Sequence, residues 1–174
     1  LLNDHLGGFH VKDASGEIHD IRRRGERANS NWSKDFELVA AETIDGVNQV
    51  VDHNAKTGHV YIWETNDKWD YSGDLLHSRP NYESYEQIEK TFNSDFNNDG
   101  TIGLKYTSLE TEGDSSLLND HLGGFHVKDA SGEIHDIRRG GERANSNWSN
   151  DFELVAAETI NGVNQVVDHN MTTN

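Results

Sequence analysis

Residues 95–103, DFNNDGTIG, set Asp95, Asn97 and Asp99 at alternating positions ahead of a glycine. A hard cation such as Ca2+ wants six to eight oxygen ligands, and this spacing turns three side-chain oxygens toward the inside of one turn. Gly100 permits the sharp reversal, the carbonyl of Thr101 supplies a backbone ligand, and Ile102 is expected to anchor the loop in the core. D-x-N-x-D-G-x-I matches the first eight positions of an EF-hand loop. The twelfth position is Tyr106 instead of a bidentate glutamate, and LKYTSLE, which follows the loop, reads as strand and not as a second helix. One or two ligands must then come from water or from elsewhere, with Glu110 as a candidate. The expected metal ligands are Asp95, Asn97, Asp99 and Thr101, with Ca2+ as the cofactor. The competing reading is a polar Asn/Asp/Gly turn that holds no ion.

Such a loop needs a rigid element on its N-terminal side, and one helix is expected between Asn81 and about Asn93. Pro80 disfavours helix at the residue before it, Asn81 is suited to cap the N-terminus, and Glu83 and Glu86 complement the positive end of the dipole. Tyr85, Ile88 and Phe92 form one apolar stripe at i, i+3 and i+7, fit to lie on a sheet. The remaining polar positions, including Glu86, Glu89 and Lys90, are expected to face water.

The rest of the period reads as strands. GFHVKD and EIHDIR flank ASG, and FELVAAETI and VNQVVDH flank Asp45-Gly46, a dipeptide that accepts the positive φ of a tight hairpin. HVYIWETN and WDYS continue the meander with β-branched and aromatic residues. LKYTSLETEG and SSLLND make a further pair around Gly113-Asp114. The fold class expected is mainly β (α+β), an antiparallel meander of about eight short strands with one helix and one calcium loop per period.

The period itself is visible in the sequence. LLNDHLGGFHVKDASGEIHDIRR begins at Leu1 and again at Leu117, an offset of 116 residues. Residues 1–58 and 117–174 differ only at Arg24/Gly140, Lys34/Asn150, Asp45/Asn161, Ala55/Met171, Lys56/Thr172 and Gly58/Asn174. The chain is thus one period plus half of the next, and the second copy stops before it reaches the helix and the DFNNDGTIG loop. The opening at Leu1 without a methionine points to a piece of a longer protein.

Composition narrows the partners. Lys and Arg number 15 against 31 Asp and Glu, a formal charge of −16, which repels nucleic-acid phosphates and anionic membrane faces. No nucleic acid and no membrane insertion are expected, since no apolar run approaches the about 18 residues of a span. The absence of cysteine rules out disulfides and thiolate chemistry.

SLETEGDSSLLNDHLGGFHVKDASGEIHDIRRGGERANSNW, then FELVAAETINGVNQVVDHN, and from the first copy TGHVYIWETNDKWDY and FNSDFNNDGTIG, together resemble the tryptophan-rich C-terminal repeat family of cyanobacterial and other bacterial secreted proteins, the tryptophan-rich Synechocystis species C-terminal domain. The resemblance covers essentially the whole period, and it implies that residues 1–103 are one repeat lacking its first strand and residues 104–174 the first part of the next, near-identical repeat. It implies an extracellular repeat module, often attached to surface, adhesive or calcium-binding repeat proteins, with no established enzymatic role. The chain departs from the family where a tryptophan is common: Asp52-His53 and Asp168-His169 stand after NQVV.

Other constellations have plainer readings. His10 with His19, and His126 with His135, lie on adjacent hairpin strands, but spacing fixes no third ligand and core-edge histidines account for them. RRRGER, residues 22–27, reads as a solvated ion-pairing turn. Trp32, Trp63, Trp69 and Trp148 include two expected core residues, and an exposed tryptophan could stack on a sugar. No acid or base is placed by a recognisable motif, so no enzyme is expected. The expected function is a secreted, calcium-stabilised structural or adhesive repeat module of the bacterial cell surface that self-associates with neighbouring copies. The alternative is a carbohydrate-binding module with a surface polysaccharide as partner.

Overall fold

Short antiparallel strands joined by tight turns dominate the computed structural model, which describes residues 1–172. The chain divides into two units, Leu1–Gly103 and a second beginning at Leu104. In the first, β1 (Leu2–Asn3), β2 (Phe9–Lys12) and β3 (Ile18–Asp20) form a small sheet, followed by the ribbon β4 (Arg22–Arg23) and β5 (Glu26–Arg27). A four-stranded meander comes next, β6 (Phe36–Ile44), β7 (Val47–Asn54), β8 (Val60–Thr65) and β9 (Tyr71–Ser78), and then helix α1 (Glu83–Phe92).

The meander is covered on both faces, and alternation along β7 shows how. Val50 and Val51 are neighbours in sequence and both are fully buried, because successive strand residues point to opposite faces. Val50 joins Phe9, Val11, Ile21, Leu38, Trp63 and Trp69 under the small sheet. Val51 joins Val60, Ile62 and the helix residues Tyr85, Ile88 and Phe92. A bulge at Val39 in β6 shifts the register between Leu38 and Ala40, so that Leu38 and Ala41, three apart, both reach the first cluster.

Asp45 (φ 50°) and Gly46 (φ 80°) adopt the left-handed conformations of the expected two-residue turn, and Ile44 pairs with Val47 across it. The strand foreseen only as WDYS runs on to Ser78. The helix stripe Tyr85, Ile88 and Phe92 is buried as expected. Its start differs. Asn81 is not the cap but a turn residue at φ 67°, and the capping position is the extended Tyr82, which makes no side-chain capping bond. A left-handed residue cannot present its side chain to the first amides as an N-cap does. Nor does the polar face simply meet water, since Glu86 and Glu89 are both buried.

In the second unit, β10 (Tyr106–Glu110), β11 (Ser116–Asp120), β12 (Phe125–Lys128) and β13 (Ile134–Asp136) form one antiparallel sheet, followed by the ribbon β14 (Arg138–Arg139) and β15 (Glu142–Arg143) and the hairpin β16 (Phe152–Ile160) and β17 (Val163–Asn170). β12 to β17 reproduce β2 to β7 in sequence and register, including the bulge, here between Leu154 and Ala156. Where β10 is present, Leu117 and Leu118 are buried, whereas Leu1 and Leu2 of the first copy are exposed. Conversely, among the described residues no counterpart of β8 or α1 follows the second hairpin, and Val166 and Val167 are 40% and 53% exposed.

Candidate metal centre

The loop after α1 is held from three directions. Asn93 closes the helix in a left-handed conformation (φ 49°), and Phe96 buries its ring beside Phe92. Phe96 is therefore the apolar anchor of the loop. Ile102, expected in that role, is 42% exposed. The chain reverses through Asn98 (φ 59°) and Gly100 (φ 85°), conformations that Asn and Gly adopt at least cost.

Within the reversal the side-chain oxygens turn onto the loop's own amides. Asp95 Oδ1 accepts from Asp99 N–H (3.2 Å) and Oδ2 from Gly100 N–H (2.9 Å). Asn97 Oδ1 accepts from Asp99 N–H (2.9 Å), and Asp99 Oδ1 from Thr101 N–H (2.8 Å). Asp95, Asn97, Asp99 and Thr101 are thus brought together in one turn. The group is an all-oxygen donor set, and it is compatible with a hard cation once water completes the shell. Glu110 lies on β10 in the second unit, where its carboxylate accepts the N–H of Glu112.

Glu89 is the residue that sequence reasoning missed. It is fully buried, and its carboxylate accepts three backbone bonds from the loop: Phe96 N–H (2.9 Å) and Asn97 N–H (3.2 Å) on Oε1, and Gly103 N–H (3.0 Å) on Oε2. Hydrogen bonds to an ionised acceptor are shorter and stronger than neutral ones. Both ends of the loop are tied to one side chain of α1. A signal was present: Glu89 occupies the i+4 place of the stripe Tyr85, Ile88, Phe92, the position an amphipathic helix turns inward. Gly103 (φ 76°) closes the loop against Lys90, whose side chain a Cβ there would meet at 2.5 Å.

His10 and His19 do not form a shared site. His10 pairs across the sheet with Asp20, and His19 with Val11, so the two imidazoles leave opposite faces. His10 lies between Asp4 (3.0 Å) and Asp20 (3.1 Å), and His126 between Asp120 (2.7 Å) and Asp136 (3.2 Å), with Tyr106 edge-on to His126. His19 bonds Asp13 (2.9 Å), near Glu17; Asp129, Glu133 and His135 repeat that trio. Bonds from Ser15 and His19 hold Asp13 well below the usual carboxylate range, and Asp129 raises His135. These carboxylates staple turns. RRRGER behaves as an ion-pairing turn: Arg22 meets Asp20 at 2.7 Å, Arg27 meets Asp4 at 3.3 Å, and Arg23 lies over Trp63 and Tyr71.

Residues 1–103, the whole first unit from the small sheet to the end of the loop, match the family model of the tryptophan-rich Synechocystis species C-terminal domain. The chain belongs to this family. No curated protein and no solved structure matches it. In this tryptophan-rich domain Trp63 and Trp69 are buried in one core cluster, while Trp32 and Trp148 are about half exposed. Among the described residues no helix is long and apolar enough to cross a membrane.

Proposed function

We propose that the chain is a secreted, calcium-stabilised structural module of a bacterial surface or extracellular protein, with an EF-hand-like loop as the fastener of each 116-residue period. The observation that carries this reading is the convergence of Asp95, Asn97 and Asp99 oxygens in a turn whose two ends are tied to buried Glu89. A cation binding there joins the helix end to the chain that follows it. Its role is to hold structure, because the donors lie beside a core anchor, Phe96.

The module's partners are neighbouring copies of itself. β17 presents valines whose first-copy equivalents are fully buried, and a strand of the β8 type is what covers them there. Pairing of that edge with another copy makes adhesive or filamentous assemblies.

Calcium binding only to the folded state raises stability by mass action, about 2.7 kcal/mol at a hundred times the Kd. For a unit of this size that is a rise in Tm of roughly 10 °C or more. Scanning calorimetry in chelator and in calcium tests it. Asp99→Ala should abolish the calcium increment, and an increment that survives in this variant overturns the assignment.

A further inference from the structure

Asp52 of β7 is more than nine-tenths buried, and its carboxylate feels the charges of Arg23 and Asp74. Burial raises its pKa from the ordinary 3.8 to about 6, against the opposing charge of Arg23. Burying a carboxylate is costly, and this one faces a cleft of about 220 Å3. Half-exposed Trp32 and Phe36 stand on its walls, and buried Trp63 lines it deeper. The Arg23 guanidinium, also in the lining, lies with its carbon 4.8 Å from the Trp63 ring centre and 4.9 Å from that of Tyr71. Ser33 adds a hydroxyl.

The lining constrains the occupant. An organic cation would meet Arg23, and an anion would meet Asp52 on a chain of charge −16. A neutral molecule that both donates and accepts hydrogen bonds satisfies both groups, and an aromatic wall requires that it also present an apolar face. The size admits one ring and not a drug-sized ligand, whose pockets start at about 300 Å3. We propose that this cleft binds one pyranose ring of a neutral glycan, with Trp32 against the ring's C–H face, Asp52 accepting from its hydroxyls and Arg23 donating to them. The second unit carries the corresponding Arg139, Trp148, Phe152 and Asp168 around a cleft of its own. No counterpart of Trp63 closes that cleft and Asp168 is exposed, so the complete site is the one in the first unit. This site is separate from the metal loop.

The test is titration of the full chain with methyl glucoside, methyl mannoside, methyl galactoside and N-acetylglucosamine, followed by tryptophan fluorescence and by amide and indole NMR shifts. Methylammonium and acetate serve as charged probes, and every titration is run with calcium and with chelator. The expected result is saturable binding of at least one sugar at millimolar concentration, with one site per chain and shifts centred on Trp32 and Asp52. Trp32→Ala and Asp52→Asn should each weaken it about tenfold or more, and Trp148→Ala should leave it unchanged. Asp52→Asn keeps the shape and should melt no lower than the parent, which separates lost binding from lost folding. Absence of saturable binding by all four sugars, preference for either charged probe, or affinity indifferent to Trp32→Ala and Asp52→Asn overturns the proposal. Sugar binding without any calcium effect on melting would support this site while removing the calcium reading.

Discussion

Replacing Glu89 isolates the contribution of one buried carboxylate to a surface loop. Glu89→Ala would leave the amides of Phe96, Asn97 and Gly103 without their acceptor, and Phe96 is itself buried. Each bond to a charged group is worth about 1.5–3 kcal/mol. The three share one acceptor and are not additive, so a loss of about 3–5 kcal/mol is expected, as for a buried charged network broken from one side. Against a total of about 5–15 kcal/mol that is enough to unfold a marginal domain. Glu89→Gln is therefore the sharper probe: one oxygen still accepts the Phe96 and Asn97 bonds, while the amide NH2 is set against Gly103 N–H, costing about 1–3 kcal/mol. Urea denaturation measures the total, and hydrogen exchange reads the site, because protection should fall first at Gly103. The Gln variant should also lose calcium affinity, since the loop must then be ordered on binding. Unchanged protection at Phe96 and Gly103, with stability within about 0.5 kcal/mol of the parent, would refute the reasoning.

Four further outcomes are expected. Asp52 holds its proton up to about pH 6 in the folded chain and only to about 3.8 when unfolded, so its contribution to stability falls as pH rises from about 4 to about 6; Asp52→Asn should raise Tm at pH 7 and give no gain below pH 4, and an equal shift at both would reject this. Asp4, Asp13 and Asp129 are depressed by their hydrogen bonds, so their contribution is complete above the ordinary carboxylate range and is lost as pH falls below it, visible as an acid limb in pH-dependent melting. Arg24 sits at φ 56° where the second copy has Gly140 at φ 64°, so Arg24→Gly should stabilise by about 0.5–1 kcal/mol, with denaturant midpoints as the check. Light scattering behind size exclusion should show mass rising with concentration in the parent and not in Val167→Lys, whose side chain is exposed; a constant monomer mass in both sinks edge pairing.

Local chemistry made much of this fold legible. Asp45-Gly46 named its turn because few residues tolerate two positive φ angles in a row, and the strands on either side followed by alternation. Tyr85, Ile88 and Phe92 named the buried face of α1 by spacing alone. What stayed hidden depends on chain returning from far away. The inward position of Glu89 was open to an amphipathic reading, but a carboxylate is placed there only if something arrives to bond it, and the arriving amides lie 7 to 14 residues later. The extra residue at Val39 has no local signature, since VAA permits either register. The cleft at Asp52 is made by side chains from five different segments, and only the departure from the family's tryptophan marked the place. The side-chain oxygens of Asp95, Asn97 and Asp99 were readable as a set, whereas their anchor was assigned to Ile102 because it fills the eighth place of the EF-hand pattern.

Gly103 is the last residue of the first unit and the first residue past it is Leu104. Pulling on a string of such modules would bring the load at this boundary onto the bond between Gly103 N–H and Glu89, and from there onto a helix whose apolar stripe is seated in the core. The C-terminal end of the first unit is therefore gripped from inside its own fold. Under tension on Gly103, α1 has to be dragged off the meander before the loop can pay out as slack, so the extensibility of this end of the unit is set by the packing of Tyr85, Ile88 and Phe92 and not by the length of the surface turn.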